Sequence, residues 1–291
     1  MGEKPPLAVI AGPTASGKSA FALRMAQEQG GVIINADASQ VYADLAILSA
    51  RPTADEEARV PHRLFGTIDG ATACTAAHWA ALARTEIAGA HARGLLPILV
   101  GGTGLYLRIL LQGIAAVPAI PAAVRDAVRA LPPARLRAAL EAEDPAMAAR
   151  LHPNDPQRCA RALEVVRATG QSLAAWHKAP DSGGISDAVD LRPLVIDLPR
   201  DALTARTDAR VDQMWEAGAL EEAARLKGRN LDPALPVMRA IGVPPLLALL
   251  AGSLNEAEAL MRWKLDTRQY AKRQATWLRN QLGHWPRIPA A

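Results

Sequence analysis

The residues best suited to chemistry lie near the N-terminus. Gly12-Pro13-Thr14-Ala15-Ser16-Gly17-Lys18-Ser19 matches the pattern G-x-x-x-x-G-K-[ST] at every required position. Such a loop turns backbone N–H groups toward phosphate oxygens, Lys18 adds a point charge, and the Ser19 hydroxyl can hold a Mg²⁺ carried on the phosphates. Gly12, Thr14, Ala15, Ser16, Gly17, Lys18 and Ser19 are therefore candidate ligands of a diphosphate or triphosphate. A glycine turn arising by chance is the bland alternative. The full match, with an apolar run at 7–11 before it and a helical pattern after it, argues against that.

The loop alone does not say which phosphorylated molecule binds. Enzymes that hydrolyse nucleoside triphosphates place an Asp after a buried strand to hold Mg²⁺. Here the apolar run 95–100 (LLPILV) leads into Gly101-Gly102-Thr103-Gly104, with no acid. The carboxylate that does follow a strand-like run is Asp37. An Asp in that place is often only a helix cap or turn former. Beside bound phosphates it would be either a Mg²⁺ contact or a general base for an incoming nucleophile.

These residues need a scaffold that gathers three loops. Residues 7–11 (LAVIA), 32–35 and 95–100 read as buried strands, and 194–198 (LVIDL) as another core strand. Helices are expected over about 18–29, 76–93, 105–112 and 255–282. Strand alternating with helix predicts an α/β fold with a parallel sheet covered by helices on both faces. Ligands of such sheets bind at the carboxyl ends of the strands, where 12–19, 36–42 and 101–104 should converge. The texture changes near residue 113. Residues 114–184 lack strand signals and carry Pro118, Pro121, Pro132, Pro133, Pro145, Pro153 and Pro156 between short stretches rich in Ala and Arg. The expected organisation is a P-loop core from 1–113 and 185–291, interrupted by an all-α insertion, 114–184, with a loop at 181–184.

Composition is that of a globular protein, with 50% apolar and 21% charged residues in 291. No apolar run reaches the ~18 residues of a membrane span. The short run at 7–11 feeds directly into the glycine loop, so a cytoplasmic location without a cleaved leader is expected. Cys74 and Cys159 suggest neither a disulfide framework nor a zinc site. The net charge is +4, yet residues 261–291 hold seven Lys or Arg against one acid. Trp263, Tyr270 and Trp277 recur every seven residues and read as a core-packed seam. Lys264, Arg268, Lys272 and Arg279 fall within about 80° on another face, where a polyanion such as nucleic acid is the favoured partner and a solvated face the alternative. A second basic cluster follows His152-Pro153-Asn154-Asp155-Pro156, where Asn154 or Asp155 would cap a helix carrying Arg158 and Arg161 one turn apart.

Together these pieces resemble the tRNA dimethylallyltransferases over roughly residues 7–282. The resemblance is carried by GPTASGKS (12–19), NADASQVY (35–42), PILVGGTGLYL (97–107), DPAMAARLHPNDPQRCARALEV (144–165), MRAIG (238–242) and RQYAKRQATWLRNQ (268–281). It implies transfer of a dimethylallyl group from dimethylallyl diphosphate to the exocyclic amine of the adenosine 3′ of a tRNA anticodon, with Mg²⁺ as cofactor. By resemblance, Lys18 and Ser19 hold the diphosphate with Mg²⁺, Asp37 takes a proton from the amine, and Thr103 positions the reacting groups. Asp37, Ala38, Ser39, Gln40, Arg125, Gln157, Arg158, Arg161, Arg239, Lys272, Arg273 and Arg279 fall where the family contacts the tRNA anticodon stem-loop. No membrane and no obligate protein partner are expected, and a monomer is expected.

The sequence departs from the family pattern in places. The usual Asp-Ser-Met-Gln reads Asp37-Ala38-Ser39-Gln40, the usual Gly-Thr-Ala-Lys-Pro reads Leu48-Ser49-Ala50-Arg51-Pro52, and a Tyr usual after Ile-Gly is Val243. Three other readings compete. A P-loop small-molecule kinase would use the loop for ATP but would not need the basic C-terminal segment. An adenylate isopentenyltransferase would prenylate free nucleotides. A non-catalytic RNA-binding protein switched by a nucleotide would not need Asp37.

Overall fold

The computed structural model describes residues 3–178 and 181–290. The chain divides into two compact units, one of Met1–Leu111 with Ile185–Ala291, the other Gln112–Gly184. The first unit opens with strand β1 (Pro6–Ala11), helix α1 (Lys18–Gln29), strand β2 (Gly31–Asn35), helix α2 (Ala54–Arg59), a two-residue strand β3 (His62–Arg63), helix α3 (Ala76–Ala92), strand β4 (Leu96–Gly101) and helix α4 (Gly104–Gln112). The second unit holds β5 (Gly113–Ile114), α5 (Ala122–Arg129), α6 (Pro133–Glu143), α7 (Pro145–Ala148), α8 (Pro156–Thr169), α9 (Leu173–Trp176) and β6 (Ser182–Gly183). The chain then returns through β7 (Asp190–Asp197), α10 (Arg200–Glu216), α11 (Ala219–Gly228), α12 (Val243–Leu250), α13 (Glu256–Gln281) and β8 (Arg287–Pro289).

The main sheet has the order β3-β2-β4-β1-β7-β8, and every pairing in it is parallel. Side chains on its strands alternate between two cores. Leu7, Val9 and Ala11 of β1 join Ile34, Leu99 and Val195 on one face, under Trp79, Ala83 and Ile87 of α3 and Leu107 and Leu110 of α4. Ala8 and Ile10 join Ile33, Ile98, Val100 and Ile196 on the other, under Ala22, Leu23 and Ala26 of α1. Both faces are buried, so the strands are apolar runs rather than alternating ones, as a parallel sheet requires. Because all strands point the same way, the segments after β1, β2 and β4 emerge along one edge.

Several expectations are corrected. The core strand expected at 194–198 is β7, which begins four residues earlier and pairs with β1 from Asp190 onward. Asp190, Arg192 and Pro193 disguise its first half. At Pro193 the strand has only β1 beside it, since β8 pairs from Val195 on, so a residue without an N–H is tolerated there. Strands β3 and β8 were too short to show an apolar pattern. The insertion does contain strand: Gly113–Ile114 pairs antiparallel with Ser182–Gly183, inside the segment read as a loop. Its helices enclose their own core around Val128, Leu140, Leu163 and Val165. Asp155, rather than Asn154, caps α8, its side chain accepting the Arg158 N–H at 3.0 Å.

Candidate active site

The phosphate loop is built by backbone constraints. Gly17, at φ 86°, caps α1 with no side-chain hydrogen bond, and the first turn of α1 holds no acid. The N-terminal N–H groups of α1 therefore face open space rather than a capping oxygen, which suits an anion. Lys18 is buried, and its Nζ donates to the Pro13 carbonyl at 3.3 Å. Burial pulls its pKa from 10.5 to about 8, the charge of Asp37 opposes that, and the Arg210 guanidinium adds to it. The Ser16 hydroxyl is fully buried without a hydrogen-bond partner. The loop lines a cavity of about 850 Å³, whose further walls include Ser19, Gln40, Arg51, Arg206 and Arg210.

Asp37 is held by a lattice of short hydrogen bonds. The Asn35 amide, at the end of β2, accepts the Asp37 N–H at 2.8 Å and donates to the Asp37 and Leu64 carbonyls at 3.0 and 3.1 Å. Asn35 is itself buttressed by Trp79, whose indole N–H donates to the Asn35 carbonyl at 2.9 Å. Asp37 Oδ1 accepts the Ser39 N–H at 2.9 Å, so the turn-forming role of an Asp is real. Its carboxylate still belongs to a small pocket of about 50 Å³ with Thr14, Ser39, Arg210 and Tyr270. Thr103 Oγ1 accepts the Ala38 N–H at 3.0 Å, tying the loop after β4 to the loop after β2. Arg210 and Met214 line both the large cavity and the small pocket, so the phosphate cradle and Asp37 share a wall.

Arg210, Tyr270 and Gln274 belong to this site and escaped the sequence reading. Burial lowers the pKa of Arg210, against the pull of Asp37. Tyr270 is half-buried and lines the small pocket with Asp37. Burial is the larger cause of its raised pKa, and the Asp37 charge adds to it. The seam expected from Trp263, Tyr270 and Trp277 is thus split. Trp263 is core, Trp277 packs at its edge, and Tyr270 faces the pocket.

The comparisons with known proteins agree with this architecture. The model of the family described as "IPP transferase" matches residues 40–281, and that of "Isopentenyl transferase" matches residues 5–69. A tRNA dimethylallyltransferase of Sphingopyxis alaskensis is 60% identical over 97% of this chain and 92% of its own length. That of Erythrobacter litoralis is 55% identical over 99% of this chain and 92% of its own. The chain belongs to the tRNA dimethylallyltransferase family. Among solved structures, a eukaryotic dimethylallyltransferase acting on tRNA matches with a TM-score of 0.84 at 29% identity, over 99% of this chain and 74% of that one. The full-length tRNA isopentenylpyrophosphate transferase of Bacillus halodurans matches with a TM-score of 0.70 at 33% identity, over 99% and 90%.

The positions that match the family's tRNA-contacting stretches are scattered. Asp37 and Ser39 line the small pocket, the Ala38 N–H is held by Thr103, and Gln40 lines the large cavity and donates to the Ser49 and Ala50 carbonyls at 3.0 and 2.8 Å. Arg239 is exposed before α12, and Lys272, Arg273 and Arg279 are exposed on α13. Arg125, Gln157, Arg158 and Arg161 are exposed on the second unit, where Arg158 pairs with Asp155 and Arg161 with Glu164. The basic face expected on α13 is corrected in part. Lys264 pairs with Asp212 and Arg268 with Asp208, both acids supplied by α10. Among the described residues no carboxylate pairs with Lys272, Arg273 or Arg279. Of the departures from the family pattern, Leu48 lines the small pocket and Val243 is core.

Proposed function

We propose that the chain transfers a dimethylallyl group from dimethylallyl diphosphate to the N6 amine of the adenosine 3′ of a tRNA anticodon, releasing diphosphate. The observation that carries the reading is the shared wall at Arg210: a cavity walled by a phosphate loop and cations adjoins a pocket that holds one carboxylate, Asp37. In the reaction, the bond from the allylic carbon to the diphosphate oxygen breaks and a bond from that carbon to N6 forms. The amine proton passes to the Asp37 carboxylate. An adenine amine is a weak nucleophile, because its lone pair is delocalised into the ring, so stabilising the leaving charge is the main task. The loop N–H groups, Lys18 and Arg210 are placed to do that. The absence of an acid immediately after β4 favours a leaving diphosphate over ATP hydrolysis.

Mg²⁺ bound to the diphosphate would neutralise part of its charge. Among the described residues no three His, Cys, Asp or Glu side chains gather into a metal cage. Mg²⁺ keeps most of its ligands as water and phosphate oxygens, so the exposed Ser19 hydroxyl on the cavity wall suits a Mg²⁺ carried by the substrate. The adenine must leave the anticodon stack to reach the pocket, as in other base-modifying enzymes. A monomer is the state that goes with this reading, and no helix among the described residues is long and apolar enough to cross a membrane. Action on tRNA in the cytoplasm is the location that goes with this reading.

The test is incubation of the protein with labelled dimethylallyl diphosphate, Mg²⁺ and undermodified tRNA. Label in the tRNA, at the adenosine next to the anticodon, is the expected result. An unlabelled tRNA together with phosphate transfer from ATP to a small acceptor would replace this reading with that of a kinase.

A further inference from the structure

The stretch 268–281 resembles family segments that contact tRNA, yet one of its side chains points the other way. Gln274 is buried on α13 at 5% exposure. Its Oε1 accepts the Thr14 N–H of the phosphate loop at 2.8 Å, and its Nε2 donates to the Gly102 carbonyl, after β4, at 3.0 Å. A donor on one side and an acceptor on the other leave the amide a single orientation. A Cβ on Gly102 would stand 2.3 Å from Gln274 Nε2 and 2.7 Å from the Gly12 carbonyl, so only glycine admits the amide here. Thr103, the next residue in the chain, accepts the Ala38 N–H of the loop after β2 through its Oγ1 at 3.0 Å. One connected set of hydrogen bonds thus spans the loops after β1, β2 and β4.

We propose that Gln274 is a positioning residue of the transfer reaction, fixing the phosphate loop against the Gly102–Thr103 loop from the buried face of α13. This rests on the transferase reading of the site. An in-line displacement needs the leaving oxygen, the allylic carbon and N6 aligned. The leaving oxygen is held by the loop after β1, while the proton acceptor Asp37 is anchored through the loops after β2 and β4. Gln274 makes direct hydrogen bonds to the first and third of these, and the third is tied to the second where Thr103 Oγ1 accepts the Ala38 N–H. Gln274 has no place in the outer charge pattern: Lys272 and Arg273, just before it, are exposed while it is buried. Losing it would leave the buried Gly102 carbonyl and the half-buried Thr14 N–H to find other partners, and the two loops would be free to shift. A displacement of about 1 Å at a reacting centre is enough to cost roughly a hundredfold in rate.

Two variants of the full chain test this. Gln274→Leu removes both hydrogen bonds. Gln274→Glu keeps an acceptor for Thr14 but, when ionised, sets an oxygen against the Gly102 carbonyl; protonated, it can donate there again. Three quantities are measured: the single-turnover transfer rate at saturating substrates, the affinity for inorganic pyrophosphate by calorimetry, and the affinity for an anticodon stem-loop by fluorescence anisotropy. The expected result for Gln274→Leu is a rate roughly ten- to hundredfold lower, weakened pyrophosphate binding, and stem-loop affinity within about twofold of wild type. For Gln274→Glu, the rate relative to wild type should rise as pH falls from about 8 to about 6, which Gln274→Leu should not show. Wild-type rate in Gln274→Leu, a loss confined to stem-loop affinity, or the absence of any pH rescue in Gln274→Glu would overturn the proposal. If Gln274→Leu lacks the wild-type near-UV circular dichroism, the pH comparison within Gln274→Glu decides alone. A wild-type chain that labels no tRNA would remove the transferase reading, whereas unchanged pyrophosphate affinity in Gln274→Leu would remove the role of Gln274.

Discussion

Helix α13 carries two faces built for different work. On the inner face Trp263, Thr267, Ala271, Gln274 and Leu278 are buried, and Tyr270 and Gln274 reach the loops that hold the phosphate site and Asp37. On the outer face Lys272, Arg273 and Arg279 are exposed. Between them, Lys264 and Arg268 look outward in the helical pattern but are tied to Asp212 and Asp208 of α10. A cluster of like charges is therefore not one functional surface. The two paired cations fasten α13 to α10, and the exposed ones are left to meet a polyanion. On this account substitutions near the inner face change the rate of transfer, and those on the outer face change RNA affinity and its salt dependence.

The largest effect should come from Asp37, which Tyr270 of the inner face adjoins. Asp37→Asn keeps the side-chain oxygen that accepts the Ser39 N–H but removes the base. The transfer rate should fall by roughly 10²–10⁴ while stem-loop affinity stays within about threefold, read by single-turnover labelling and anisotropy on the same preparation. Loss of RNA binding in that variant would assign Asp37 to recognition and erase the division between the faces.

On the outer face, Lys272→Ala combined with Arg273→Ala should weaken stem-loop binding by about tenfold and flatten the slope of log affinity against log salt by up to about 2. Single-turnover rates at saturating RNA should hold. An unchanged slope would make this face a solvated surface only.

Lys18 offers a sharper test of the phosphate side. Burial, the largest cause, sets its pKa at about 8, below the ordinary 10.5. The protonated form is then disfavoured by folding, so stability from this group rises as pH climbs through 8 toward 10.5 and is absent below that window. A bound diphosphate favours the charged form, and binding must take up a proton wherever Lys18 is neutral. Relative to Lys18→Arg, which stays charged, wild type should lose about fourfold in pyrophosphate affinity between about pH 7 and about pH 8.5. A constant ratio across that range, measured by calorimetry, would show that Lys18 is charged throughout. The smallest effect belongs to the paired cations. Asp208→Ala with Asp212→Ala should lower stability by no more than about 1 kcal/mol per pair while steepening the salt dependence of RNA binding, since Arg268 and Lys264 are released.

Much of the scaffold was legible in the sequence, because a buried parallel strand is an apolar run and a phosphate loop is a contiguous motif. The runs 7–11, 32–35 and 95–100 are strands for that reason. The half of β7 that carries Asp190, Arg192 and Pro193 was not legible, because Asp190 and Arg192 are exposed and the strand is paired there on one side only. The same limit hid the role of Gln274. Its partners Thr14 and Gly102 lie 260 and 172 residues away, and a glutamine inside a basic stretch reads as part of that stretch. Asp208 and Asp212 are likewise 60 and 52 residues from the cations they neutralise, so the pattern on one helix could not reveal the acids of another. Asp37 was legible because it follows a strand at the edge where the loops gather. The Asn35 lattice that holds it comes from the fold.

The most direct test compares wild type with Asp37→Asn at equal occupancy by an anticodon stem-loop, with labelled dimethylallyl diphosphate and Mg²⁺. The account predicts label on N6 of the adenosine 3′ of the anticodon with wild type, and a rate at least about a hundredfold lower with the variant. Label appearing in the variant at the wild-type rate would contradict it.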